Sequence, residues 1–105
     1  MDRDAIEEMF QALGEITIRR MFGGKGIYHL GRIVAIELRG EIMLKGDAET
    51  AEAVEEAGGR RWTYDGRKGK PVAMPYWTIP DGAYDDPDEM AKWVRLAYEA
   101  TLRAG

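Results

Sequence analysis

From Glu15 to Asp47 the chain is a series of short β-type runs cut apart by glycine. Ile16 to Phe22, Ile27 to Leu30, Arg32 to Leu38 and Glu41 to Lys45 read as four strands. The links between them are Gly23-Gly24-Lys25-Gly26, Gly31 and Arg39-Gly40. Connections this short favour sequential antiparallel pairing, a meander. In the third run Val34, Ile36 and Leu38 alternate with Ala35 and Glu37, which predicts one buried face.

Helical patterns surround this block. Ile6, Met9, Phe10 and Leu13 follow the spacing of one helix face within residues 4–13, and Asp4 with Glu7 resembles a capping box ahead of the Gly14 stop. Residues 47–57 read as a second helix, capped by Asp47, ended by Gly58-Gly59, and carrying the small face Ala51, Val54 and Ala57. Arg60 to Asp65 and Val72 to Ile79 give two more strands around the loop 66–70. Pro75 cannot donate to a ladder, so the last strand should be an edge or be bulged there. Asp86 and Pro87 start a final helix, with Met90, Trp93, Val94, Ala97, Thr101 and Leu102 as its inward stripe. The expectation is one α+β domain over residues 1–105 in two layers. An antiparallel sheet of about six strands is flanked by N- and C-terminal helices. The order is helix, four strands, helix, two strands, helix.

Composition narrows the function. The 105 residues contain no cysteine, which removes disulfides, thiolate metal sites and cysteine nucleophiles. It also fits a reducing cytoplasm. The N-terminal Met1-Asp2-Arg3-Asp4 leads into an acidic amphipathic segment with no apolar signal core, and no apolar run is long enough to span a membrane. A cytoplasmic protein is expected. Net charge is −4 in total, and runs −4, +4, −5, +4 and −3 over residues 1–15, 16–46, 47–59, 60–80 and 81–105. The basic blocks are strands and the acidic blocks helices, which predicts a basic and an acidic layer.

No catalytic constellation assembles from these residues. Gly23-Gly24-Lys25-Gly26 lacks the spacing and the following helix of a phosphate loop, and reads as a turn. His29 is the one histidine, alternates with Tyr28, and has no nucleophile motif beside it. Asp81, Asp85, Asp86, Asp88 and Glu89 lack the ligand order of a calcium loop, and helix capping accounts for Asp86, Asp88 and Glu89. The stretch Met74-Pro75-Tyr76-Trp77 with Pro80 reads as core, Trp77 meeting Trp93 across the sheet-helix interface. The strand bases and aromatics leave one candidate binding feature. Arg19, Lys25, Arg32, Arg39 and Lys70 are the partner-binding candidates, with Tyr28, Trp62 and Tyr64 among them. The expected occupant is a protein. The alternative is nucleic acid on a basic sheet face. A homodimer is also compatible with the sequence. No catalytic residue, cofactor or metal is assigned.

The segment Arg20-Met21-Phe22-Gly23-Gly24, followed by Gly26 and Tyr28, resembles the signature of the TfoX N-terminal domain family. The resemblance continues through Gly31, Leu44-Lys45, Met74-Pro75-Tyr76-Trp77, Pro80, Asp86 and Trp93, nearly the whole chain. It implies an α+β domain of the kind associated with natural competence, a regulatory or adaptor role, and no agreed catalytic residues. Longer members add a C-terminal domain, and the best-known act with a cyclic-AMP receptor protein at competence promoters. With a chain ending at Gly105, a stand-alone N-terminal domain is expected.

Overall fold

The computed structural model describes residues 2–21 and 23–104. Phe22, assigned above to the first strand and to the motif, lies outside the described residues. Three helices, α1 (Arg3–Met9), α2 (Ala48–Glu56) and α3 (Pro87–Arg103), accompany six strands. The strands are β1 (Thr17–Met21), β2 (Gly24–His29), β3 (Arg32–Leu38), β4 (Glu41–Lys45), β5 (Arg61–Asp65) and β6 (Pro71–Thr78). All six form one antiparallel sheet in the order β1-β2-β3-β4-β6-β5. The two-layer α+β expectation holds.

The helices pack on one face of the sheet. Ile6 and Phe10 from the N-terminal helical segment, Val54 from α2, and Met90, Trp93, Val94 and Ala97 from α3 share a core with Ile27, Ile42, Leu44 and Trp77 of the strands. Burying such side chains contributes about 1.5–3 kcal/mol each, so this layer dominates stability. Among the described residues no helix is long and apolar enough to cross a membrane.

Several sequence expectations shift. The cap of α1 is Asp2, whose carboxylate accepts from the Ala5 amide, and not Asp4. This helix therefore starts one residue earlier, and it ends at Met9 before a 3-10 turn over Gln11–Leu13. The turn expected at 23–26 is shorter, because Gly24, Lys25 and Gly26 already pair with β1 and β3. In β3, Ile27 pairs with Ala35 but Tyr28 pairs with Ile33, so Val34 is an extra residue. This bulge flips the alternation. Val34 joins the helix-side core, whereas Ile36 and Leu38 face the other way. Ala57 is exposed and adds nothing to the buried face of α2. Leu102 is 46% exposed, and Ala100 takes its place in the buried stripe of α3. The reason is helical phase, since Ala100 lies seven residues after Trp93 and Leu102 lies a turn-fraction aside.

Pro75 is not on an edge, because β6 lies between β4 and β5. The bulge alternative is the one found. Arg61 pairs with Trp77 and Thr63 with Ala73, which leaves Met74, Pro75 and Tyr76 opposite Trp62 alone. The missing amide of Pro75 falls where the ladder is already broken. The carbonyls beside it are used elsewhere: Arg61 Nε donates to Met74 at 2.8 Å and the Gly46 amide to Pro75 at 3.0 Å.

Candidate docking face

Helices on one side leave the other side of the sheet open. A second, smaller cluster forms there from Ile36, Met43 and Tyr76, with Ile33, Leu38, Trp62 and Met74 half-buried around it. Cross-strand register arranges this face in rows. One row runs Arg19, Gly26, Ile36, Met43, Thr78. Beside it lie Tyr28, Ile33, Lys45 and Tyr76.

The glycine motif builds this face. A side chain on Gly26 would meet the Met21 sulfur and the Tyr28 ring at under 3 Å. One on Gly24 would collide with the Glu37 carbonyl and the Leu38 side chain. Glycine at these positions lets Met21, Tyr28 and Leu38 fold across β2 and lets β2 approach β3 closely. The Met-Pro-Tyr-Trp stretch divides between the two faces. Trp77 enters the main core at 3% exposure, while Met74 and Tyr76 turn to the open side.

Aromatic rings and cations alternate on the open face. The Arg19 guanidinium lies 5.2 Å from the Tyr28 ring centre, and the Lys45 ammonium 5.4 Å from that of Tyr76. Trp62 stands 6.4 Å from Tyr76 and 5.8 Å from Tyr64. Burial pushes the Tyr76 phenol above its ordinary pKa, and the neighbouring Tyr28 phenol adds to the rise. Tyr64 is 46% exposed at the β5 edge.

The five basic candidates do not gather in one patch. Arg19 is on the open face. Lys25 faces Glu37, which shares the helix side with Ile42. Arg32 pairs with His29, also on the helix side, where His29 meets Tyr98 of α3 edge-on at 4.9 Å. Arg39 occupies the β3–β4 turn with a φ of 52°, and Lys70 precedes β6 in the loop from β5. His29 is satisfied, its Nδ1 donating to the Glu15 carbonyl at 2.7 Å. Asp86 caps α3 through the amides of Asp88 and Glu89.

Lys45, Ile36 and Met43 belong to this face and were not among the candidates. The signal was present in Glu41-Ile42-Met43-Leu44-Lys45, where apolar residues of both parities mark a strand covered on two sides.

The layer prediction can be read from the element positions. Residues 17–45 and 60–78, the strands and their turns, carry eleven bases and three acids. The remaining segments, the helices with their caps and connections, carry four bases and sixteen acids. Opposite charge therefore resides in the two layers, although individual strand bases point to both sides of the sheet.

The TfoX N-terminal domain model matches residues 8–101. The chain belongs to the TfoX N-terminal domain family. The match includes both the Arg-Met-Phe-Gly-Gly segment and the Met-Pro-Tyr-Trp strand. In this TfoX N-terminal domain the two motifs are three strands apart in sequence order, yet they furnish one surface. Among curated proteins none matches the sequence significantly.

Proposed function

We propose that this TfoX N-terminal domain is a non-enzymatic regulatory adaptor, working in the cytoplasm, that docks a protein partner on the open face of its sheet. The observation that carries this reading is a coincidence of two properties. The face left bare by the helices holds an apolar cluster, and it belongs to the basic layer of an otherwise acidic molecule. Apolar area gives affinity, and complementary charge gives rate and register. Membership of a family associated with competence supports a role in transcriptional regulation.

Nucleic acid is the second reading, drawn from Trp62 and Tyr64 beside the strand bases. Base stacking needs free ring faces. Tyr76 is only 8% exposed, and the rings of Tyr28 and Tyr76 already carry cations, so the protein reading ranks first.

The test is affinity capture with mass spectrometry, comparing the natural chain, Arg19→Glu/Lys45→Glu, and Arg95→Glu on the helical side as control. A specific protein should be lost with the double reversal and kept with the control. A folded double variant that keeps every partner removes the docking face. Loss of nucleic acid alone moves the function to the second reading.

A further inference from the structure

The open face is both apolar and cationic, and the placement of its cations sets what it can recognise. We infer that it binds an acidic amphipathic segment of the partner, with apolar side chains over the half-buried Ile33, Leu38, Trp62 and Met74 and carboxylates reaching Arg19 and Lys45. This rests on the reading of the face as a protein-docking surface.

Arg19 is on β1 and Lys45 on β4, with β2 and β3 between them. Neighbouring strands lie ~4.8 Å apart, so the two cations attach about 15 Å from each other. Ile36 and Met43 are cross-strand partners that form the buried floor of the interval, with Ile33, Leu38, Trp62 and Met74 half-buried around them. Each cation is held over a tyrosine ring, which restrains the side chain without neutralising it. Restraint before binding lowers the ordering cost of an ion pair with a carboxylate. By strand alternation Glu41 is the only acid on this side within the six strands, and it sits at the margin where β4 begins. The half-buried methionines at positions 21 and 74 give a surface that adapts to aliphatic side chains.

Charge argues against a second copy as the occupant. Within the strands the open face carries Arg19 and Lys45 against Glu41, so two copies meeting through it would each present an excess of base. An acidic partner segment meets the opposite condition.

The probe is a designed helical peptide with leucines along one face and glutamates about ten residues apart, which spans about 15 Å at ~1.5 Å rise per residue. It is titrated into isotope-labelled protein, beside a glutamine counterpart, a lysine counterpart and an oligothymidylate of similar length. The acidic peptide should shift the amide signals of Met21, Tyr28, Ile36, Met43, Lys45 and Tyr76. Affinity should fall by about tenfold or more for the glutamine counterpart, one such step being ~1.4 kcal/mol. It should fall likewise for Arg19→Glu/Lys45→Glu, or for Arg19→Gln/Lys45→Gln should the reversal fail to fold. Added salt should weaken binding to the natural chain. Equal binding of the acidic and glutamine peptides would overturn the acidic partner while leaving protein docking intact. Binding of oligothymidylate at these residues in place of the peptide would overturn both. Concentration-dependent self-association that alters the same signals would assign the face to a second copy. Absence of any shift on the open face with the acidic peptide would also refute the inference.

Discussion

Trp77 and Trp93 are both 3% exposed, yet their indole nitrogens differ in their partners. Trp77 Nε1 donates to the Glu55 carboxylate of α2 at 2.7 Å, whereas Trp93 Nε1 is buried with no partner among the described residues. Truncation of either to alanine is expected to cost about 3–5 kcal/mol. Phenylalanine separates the two. Trp77→Phe removes a hydrogen bond to a charged acceptor, worth ~1.5–3 kcal/mol, while Trp93→Phe removes a donor that has no partner among the described residues. Urea unfolding should therefore find Trp77→Phe the more destabilising by about 1 kcal/mol or more. Equal losses would show that ring volume alone matters. Gly46 makes a sharper residue-scale case. A side chain there would lie 2.6 Å from the Trp77 ring and 3.1 Å from the Thr50 hydroxyl. The ring is locked in the core and cannot retreat, so Gly46→Ala should destabilise by about 1–3 kcal/mol as overpacking. A neutral result in the same unfolding assay would mean that the β4–α2 junction is slack.

At the scale of elements, α2 is a short helix with a small buried face, and its N-terminus is secured from outside. Asp47 accepts from the amides of Glu49 and Thr50, and the Thr50 hydroxyl accepts in turn from the Asp47 amide. Arg103, at the end of α3, forks onto the same carboxylate at 2.7 and 3.1 Å. The Arg103 hydrogen bond, more than the amides, holds the Asp47 carboxyl below its ordinary pKa. A carboxylate with a depressed folded value contributes stability above its unfolded value, near ~4, and loses it as pH falls through the folded value. Thermal melts of Arg103→Gln should thus lie below those of the natural chain at neutral pH and converge with them in strong acid. A gap that persists at the lowest pH would rule out this coupling. Asp47→Ala should cost about 1 kcal/mol through the lost cap alone. The cap was legible in the sequence because Asp47 follows Gly46 and precedes a helical pattern. So were Asp86-Pro87 and most strand limits, since glycine and proline act locally. The Arg103 link was not, because its partners are 56 residues apart. The docking face was legible in part. Tyr28 and Arg19 stood out as an aromatic and a base, but Ile36 read as part of a buried strand face and Met43 carried no distinguishing signal. Which face of a sheet the helices cover is decided by packing, and the bulge at Val34 reverses the local alternation that would have told the two faces apart.

On the scale of the whole molecule, a net charge of −4 conceals a basic sheet layer beneath an acidic helical one. Such a molecule should be retained on heparin at low salt despite its sign, and should elute as the Debye length shortens to ~8 Å near physiological ionic strength. Passage straight through the column at low salt would show that the layers cancel at a distance. The strand order bears on how this chain reaches its fold. Strands β1 to β4 join neighbours through tight turns, so their contacts form locally. The β5–β6 hairpin joins the sheet where Met43, Leu44 and Lys45 meet Thr78, Trp77 and Tyr76, after α2 has intervened. Closing that longer loop carries a greater entropy cost than closing a turn. The meander can therefore organise first and the hairpin arrive later, carrying Trp77 to its place against Gly46. The reverse path is the route of partial opening. Amides of β5 and β6 should exchange with solvent before those of β2 and β3, and with them the half of the docking face that holds Tyr76 and Trp62 comes and goes.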